Sequence, residues 1–188
     1  MRIIGGNFKG KKILNPQSKK TRPLKDLTKE SIFNILVHSN KFKVKIENSF
    51  VLDLFSGVGS FGLECISRGA KQVIFVENYK DVLSILKKNL LSLKLKEKYK
   101  IISEDVFKYK NLKNFVDKFD IIFLDPPYKE NKLPILIDHI FQEKILKKDG
   151  IIIIHRHKKE NDKFSNNFKI LDEKKYGISK ILFLNYSS

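Results

Sequence analysis

Phe50-Val-Leu-Asp-Leu-Phe-Ser-Gly-Val-Gly-Ser-Phe-Gly62 decides the fold. Phe50–Leu54 is short and mostly apolar, the pattern of a buried strand. It runs into Gly57-Val58-Gly59-Ser60-Phe61-Gly62. Glycines at this spacing let a chain turn tightly from strand to helix and approach a ligand closely. The spacing alone is a weak signal. Here it sits between a strand and a helical stretch, Phe61–Arg68, which Gly69 closes.

The alternation continues outward. Gln72–Val76 reads as a strand, and Asp81–Leu93 as a helix with Val82, Ile85, Leu86, Asn89, Leu90 and Leu93 on one side. Ile101–Ser103 is a short strand, followed by a weak helix near 111–117. Then come strand Asp120–Leu124, helix Leu133–Leu146 and strand Ile151–His155. Strands and helices in alternation imply a parallel sheet covered on both faces. Phe168–Leu171 and Ile178–Leu184 have only Asp172 to Gly177 between them, so they form an antiparallel hairpin. The stretch from His157 to Asn167 is charged and polar, a loop.

At the other end, residues 2–14 read as a β-hairpin around Gly5-Gly6-Asn7-Phe8-Lys9-Gly10, with the Phe8 ring and lysines at its tip. Residues 15–25 form a loop, and 27–38 a helix capped by Asp26 or Thr28. The 188 residues fit one domain, with a basic extension over 1–26 and a core over 27–188.

The formal net charge is +17. A field of that sign favours polyanions, above all nucleic acid. Drift in an AT-rich genome also yields Lys-rich chains, but drift does not concentrate charge. Residues 1–25 hold +8 of the +17 and no acid. That distribution points to a functional basic face. No apolar run approaches the ~20 residues that cross a bilayer. No export signal is evident, and a cytoplasmic location is expected. The single Cys65 falls in a helix and reads as a buried, inert thiol.

Asp125-Pro126-Pro127-Tyr128 directly follows the apolar run Ile121–Leu124. Neither proline has an N–H for the ladder, so the strand stops there. A carboxylate, unclaimed carbonyls and a flat ring remain at the tip. Such a set either grips a planar group bearing an NH2, such as a nucleobase, or is simply a stiff turn. Glu77 ends the second strand 20 residues after Gly57, with Asn78 beside it. A carboxylate there can accept both hydroxyls of a ribose. Asp53 precedes the loop residues Phe55, Ser56, Gly57, Gly59 and Gly62. It would repel a pyrophosphate but can bind an α-ammonium group, which favours S-adenosylmethionine over NAD. Asp105, with Val106, follows the third strand. It is either an acceptor for the adenine amino group or a solvated loop acid or helix cap. His155 and His157 share one face of a strand end. With no Cys or carboxylate at matching spacing, they read as polar residues at the pocket rim or surface, not as metal ligands.

With these motifs in place, the chain resembles the RsmD family of 16S rRNA (guanine-N2)-methyltransferases. The resemblance covers nearly the whole chain. It rests on Arg2-Ile-Ile-Gly-Gly with the following Lys9-Gly-Lys-Lys, on Arg22-Pro23, and on Glu30-Ser-Ile-Phe-Asn34. It continues through Leu52 to Glu64, Ser67-Arg-Gly-Ala70, Leu124 to Tyr128 and Tyr176-Gly-Ile-Ser-Lys180. The resemblance implies a class I S-adenosylmethionine-dependent methyltransferase fold. That fold is α/β and Rossmann-like, with a mixed sheet of seven strands. Asp53, Gly57, Gly59, Glu77 and Asp105 would line the cofactor site, and Asp125 to Tyr128 would form the catalytic loop. Arg2, Phe8, Lys9, Lys11, Lys12 and Arg22 would meet RNA. The implied product is S-adenosylhomocysteine, with no metal. The implied partner is 16S rRNA or an assembling small subunit, met by a monomer. Leu27 departs from the pattern, standing where similar chains carry a basic residue. The rival readings are an adenine amino-methyltransferase acting on DNA or other RNA, and a non-catalytic RNA-binding module on the same fold.

Overall fold

The computed structural model describes residues 1–16, 24–95, 97–108, 112, 114–115 and 119–187. Arg22, Pro23 and most of the expected weak helix near 111–117 lie outside them. Strands β1 (Phe50–Leu54), β2 (Gln72–Val76), β3 (Tyr99–Ile102), β4 (Phe119–Leu124), β5 (Leu146–His157), β6 (Phe168–Tyr176) and β7 (Ser179–Tyr186) form one sheet, ordered β3-β2-β1-β4-β5-β7-β6. Neighbours are parallel from β3 to β5, and β7 is antiparallel to both β5 and β6.

The inner strands are nearly all apolar because helices cover both faces. Alternation sends Val51, Phe75, Phe123 and Ile153 to one side, against α1 (Asp26–His38), α2 (Ser60–Ser67) and α3 (Lys80–Ser92). Leu52, Val76, Leu124 and Ile154 point to the other side, against α4 (Leu133–Gln142). On the first side a column of rings runs from α1 to β4. Phe33 stacks on Phe61 at 5.1 Å, and Phe61 on Phe123 at 4.0 Å. Among the described residues no helix is long and apolar enough to cross a membrane.

Several boundaries differ from the sequence expectation: β5 runs over Leu146–His157 rather than Ile151–His155, and β3 over Tyr99–Ile102 rather than Ile101–Ser103. α4 ends at Gln142 rather than Leu146, because Lys144 turns into the left-handed region (φ 50°) and Leu146 pairs with Phe119 of β4. Strand pairing there overrides helical periodicity. β6 runs on through Asp172 to Tyr176, which the sequence assigns to a turn. Its charges suit a sheet edge, where one side of the strand meets water. The true turn is Gly177-Ile178, and Gly177 takes φ 58°. Among the described residues no side chain caps α1. Asp26 is its first residue and lies 3.7 Å from Lys29 Nζ.

The expected N-terminal hairpin reduces to one antiparallel bridge, Arg2 to Lys12, around a 3₁₀ turn at Gly6–Phe8. Backbone bonds from Ile3 N to Lys11 O, Ile13 N to Met1 O and Gly10 N to Ile3 O close it, and side-chain acceptors on α2 fasten it to the core. Fully buried Glu64 accepts the Ile4 and Gly5 amides, each at 2.8 Å, and Arg68 Nε at 2.8 Å. Ser67 Oγ accepts the Phe8 amide and donates to Gly5 O. Buried Lys29 donates to Arg2 O at 2.6 Å and lies 3.8 Å from Glu64 Oε2. Burial pulls the Lys29 ammonium down, and the charges of Glu64 and Asp26 pull it back up. Gly6 has φ 74°, and a Cβ there would sit 1.9 Å from Ser67 O. Only glycine lets this loop lie so close to α2.

Candidate active site

Strand register builds the site. Leu54 pairs with both Val76 and Leu124, and Leu124 pairs with Ile154. The residues that follow, Phe55, Glu77, Asp125 and His155, therefore form a row along the carboxyl edge of the sheet. They line a cleft of about 580 Å³. The cleft lies where strand order reverses beside β1, the usual ligand crevice of such sheets.

On the β1–β2 side, backbone amides do much of the work. Glu77 Oε2 accepts the Gly57 amide at 2.8 Å, and Oε1 accepts the Asn78 and Tyr79 amides at 2.9 Å each. The carboxylate thus fixes the Gly-rich turn while still facing the cleft. Asp53 is 1% exposed, and its Oδ2 accepts the Gly62 amide at 3.0 Å. Its Oδ1 is buried with no partner among the described residues. Burial pushes the Asp53 carboxyl well above the usual carboxylate range. The Gly62 amide offsets part of this, and the charges of Asp125 and Glu77 add to it. A buried acceptor lacking a donor, in a wall with two further carboxylates, fits an ammonium group and repels a phosphate. Asn89 ties this turn to the N-terminal segment: its Nδ2 donates to Val58 O and Leu14 O, and its Oδ1 accepts the Leu14 amide.

On the β4–β5 side, side chains do the work. Asp125 leaves β4 with its amide 3.4 Å from Leu54 O. Its Oδ1 lies 2.8 Å from His155 Nδ1, and His155 Nε2 lies 2.9 Å from Ser179 Oγ. His155 and Ser179 are each 6% exposed. Arg156, 1% exposed, holds the loop from behind. It donates to Pro127 O at 3.2 Å and Glu130 O at 2.9 Å, and forms a two-pronged pair with Asp162 at 2.9 Å. Among the described residues no donor reaches the Pro126 carbonyl. The half-buried Tyr128 ring stands edge-on to His157, 5.1 Å between centroids.

The cleft gathers Asp53, Phe55, Ser56, Gly57, Glu77 and Asn78 with all four residues of the Asp125–Tyr128 loop. It does not gather Gly59, Gly62, Asp105 or Val106. A Cβ on Gly62 would lie 2.3 Å from Phe75 Cε1, so this glycine serves helix–sheet packing instead of ligand approach. Asp105 accepts the amide of Phe107, two residues on, and Val106 is buried. Of the basic set, Arg2, Lys9, Lys11 and Lys12 are exposed, and Arg22 is outside the described residues. Phe8 is half-buried against the core rather than displayed at a tip. The sequence reading missed Ser179, Arg156, Leu24, Lys25 and Tyr79. His155, expected at the pocket rim or surface, does line the cleft, but its imidazole is buried. The available signal was the His155-Arg156-His157 run that directly follows the apolar Ile151–Ile154.

A model of the family described as conserved hypothetical protein 95 matches residues 1–185. Ribosomal RNA small subunit methyltransferase D of Haemophilus influenzae is 35% identical over 179 residues, 95% of this chain and 90% of that protein. A solved Haemophilus influenzae structure of a candidate methylase is 31% identical, with a TM-score of 0.76 covering 100% of this chain and 98% of that one. A candidate methyltransferase solved with SAH is 18% identical, with a TM-score of 0.62 over 84% of this chain and 49% of that one. That last likeness concerns the fold alone.

Proposed function

The chain belongs to the family of conserved hypothetical protein 95, the RsmD family, and from that premise we propose that it methylates the exocyclic amine of a guanine in small-subunit (16S) ribosomal RNA. S-adenosylmethionine is the methyl donor. The observation that carries the reading is a rigid Asp-Pro-Pro-Tyr loop and a buried, half-partnered Asp53 facing one cleft.

When bound, S-adenosylmethionine supplies an electrophilic methyl group on a sulfonium. The half-partnered Asp53 carboxylate would hold its α-ammonium group, Glu77 and Asn78 would meet the ribose, and Phe55, Ser56 and Gly57 would wall the site. Asp105 is not among the residues that line the cleft and is left out of this set. The target base leaves its RNA context to enter the cleft, and Tyr128 packs on it. The Asp125 carboxylate and the Pro126 carbonyl accept hydrogen bonds from the amine. These bonds aim the nitrogen lone pair and stabilise the positive charge that grows on nitrogen during attack. The proton leaves to the Asp125 carboxylate or to water.

Arg2, Lys9, Lys11 and Lys12 contact RNA phosphates from a loop that Glu64 and Ser67 fix to the core. The partner is 16S rRNA, naked or in an assembling particle. The test uses tritiated S-adenosylmethionine with small subunits, naked 16S rRNA and duplex DNA, followed by nucleoside analysis. The expected product is N2-methylguanosine in the RNA. Label in DNA alone, or methyladenosine, would overturn the assignment.

A further inference from the structure

We propose that His155, fixed by Ser179, is a positioning residue that orients the Asp125 carboxylate toward the substrate amine. The inference rests on the methyltransferase reading and deepens it. Three neighbouring strands bring the groups together: Asp125 follows β4, His155 lies on β5, and Ser179 opens β7. The same face of β5 and β7 is apolar below this level, with Ile151 and Ile153 on one strand and Ile181 and Phe183 on the other. Among the described residues of that face, the buried polar side chains are His155 and Ser179, beside Asp125. A fold needing nothing but a core would continue with apolar residues, since a buried imidazole and hydroxyl are costly without partners. All three residues line the cleft.

Hydrogen-bond logic sets the direction. An ionised carboxylate only accepts, so His155 Nδ1 carries the proton facing Asp125 Oδ1. In the neutral ring Nε2 then accepts from the Ser179 hydroxyl, which selects that tautomer. Oδ1 is thereby occupied, and the carboxylate cannot rotate without breaking a bond to its charged oxygen. Oδ2 is the oxygen left to receive the amine. Arg156, next on β5, fixes the loop backbone through Pro127 O and Glu130 O. Adjacent residues of one strand therefore hold the side chain and the main chain of the same loop.

The test compares His155→Leu, His155→Asn, Ser179→Ala and the His155→Asn/Ser179→Ala double variant. It uses methyl transfer to small-subunit RNA and calorimetric binding of S-adenosylmethionine. The Asn amide N–H takes the place of Nδ1–H but offers nothing to Ser179. His155→Leu should lower kcat about 10- to 100-fold, the size of a lost hydrogen bond to a charged group. KM for RNA and cofactor Kd should stay within about twofold, and His155→Asn should recover most of the rate. Ser179→Ala should cost about threefold alone and nothing further in the Asn background, where its route is absent. Equal losses in His155→Leu and His155→Asn would overturn the proposal. So would a Ser179 effect that persists in the Asn background, or a loss of cofactor binding in step with rate. No transfer by the unaltered protein would instead overturn the methyltransferase reading, and this inference with it.

Discussion

The two walls of the cleft are built by opposite means. The β1–β2 wall relies on backbone amides turned toward carboxylates that are near in sequence or one crossover away, as Glu77 takes Gly57, Asn78 and Tyr79. The β4–β5 wall relies on side chains from distant strands, with Asp125, His155 and Ser179 in one chain of hydrogen bonds and Arg156 behind. The first wall is a shaped receptacle with one strongly perturbed acid, Asp53. The second is a jig that immobilises a short loop. The difference teaches that binding and chemistry are separable here, and substitutions on the two walls should fail in different ways.

The largest effect is expected at the loop itself. Asp125→Ala should lower transfer about 1000-fold, the upper range for removing one oriented group at a developing charge. Calorimetry should show cofactor affinity nearly unchanged, and an equal loss of binding would merge the two walls into one function. Next comes Arg156→Leu. It leaves the Asp162 carboxylate, 6% exposed, without its buried partner and should destabilise the fold by about 3 kcal/mol. Denaturant midpoints measure this. Unaltered stability with unaltered rate would remove Arg156 from the account of the loop.

The smallest of these three effects should fall on the other wall. Asp53→Asn should weaken cofactor binding about 30-fold, as for a hydrogen bond between charged groups, with transfer retained at saturating cofactor. A proton signature accompanies it. Burial holds free Asp53 toward its protonated form, and an ammonium group beside it favours the ionised form. Binding should therefore release a proton, and affinity should rise with pH until free Asp53 has ionised. Binding heats measured in buffers of different ionisation enthalpy report the release. Identical heats would place the ammonium elsewhere.

The same contrast explains what the sequence revealed. β1 and β2 are found at Phe50–Leu54 and Gln72–Val76 as expected, because buried parallel strands are short, branched and bounded by turn residues. The Gly-rich turn and Glu77 were legible because their spacing is local to one strand–helix–strand unit. Gly59 and Gly62 carry the right pattern but do not line the cleft: a Cβ on Gly59 would meet Leu86 of α3 and one on Gly62 would meet Phe75 of β2, neighbours that only the fold makes visible. The acid-free N-terminus was legible as charge. Its attachment was not, since Glu64 and Lys29 look like ordinary helix-surface residues until the loop folds over them. Asp172 to Tyr176 looked like a turn because edge-strand charges and turn residues share a composition.

By itself the sequence determined the alternation of strands and helices, the reversal at the last hairpin, and a carboxylate and ring on a proline-stiffened tip. Those features rest on local covalent and periodic constraints, which a few neighbouring residues express. Only the tertiary structure decided that Asp125, His155 and Ser179 meet, and that Asp105 stays out of the cleft. Parallel pairing of β4 with β5 and antiparallel pairing of β5 with β7 set which distant residues share one level of the sheet. Register of that kind is a property of assembled strands, and no single segment carries it.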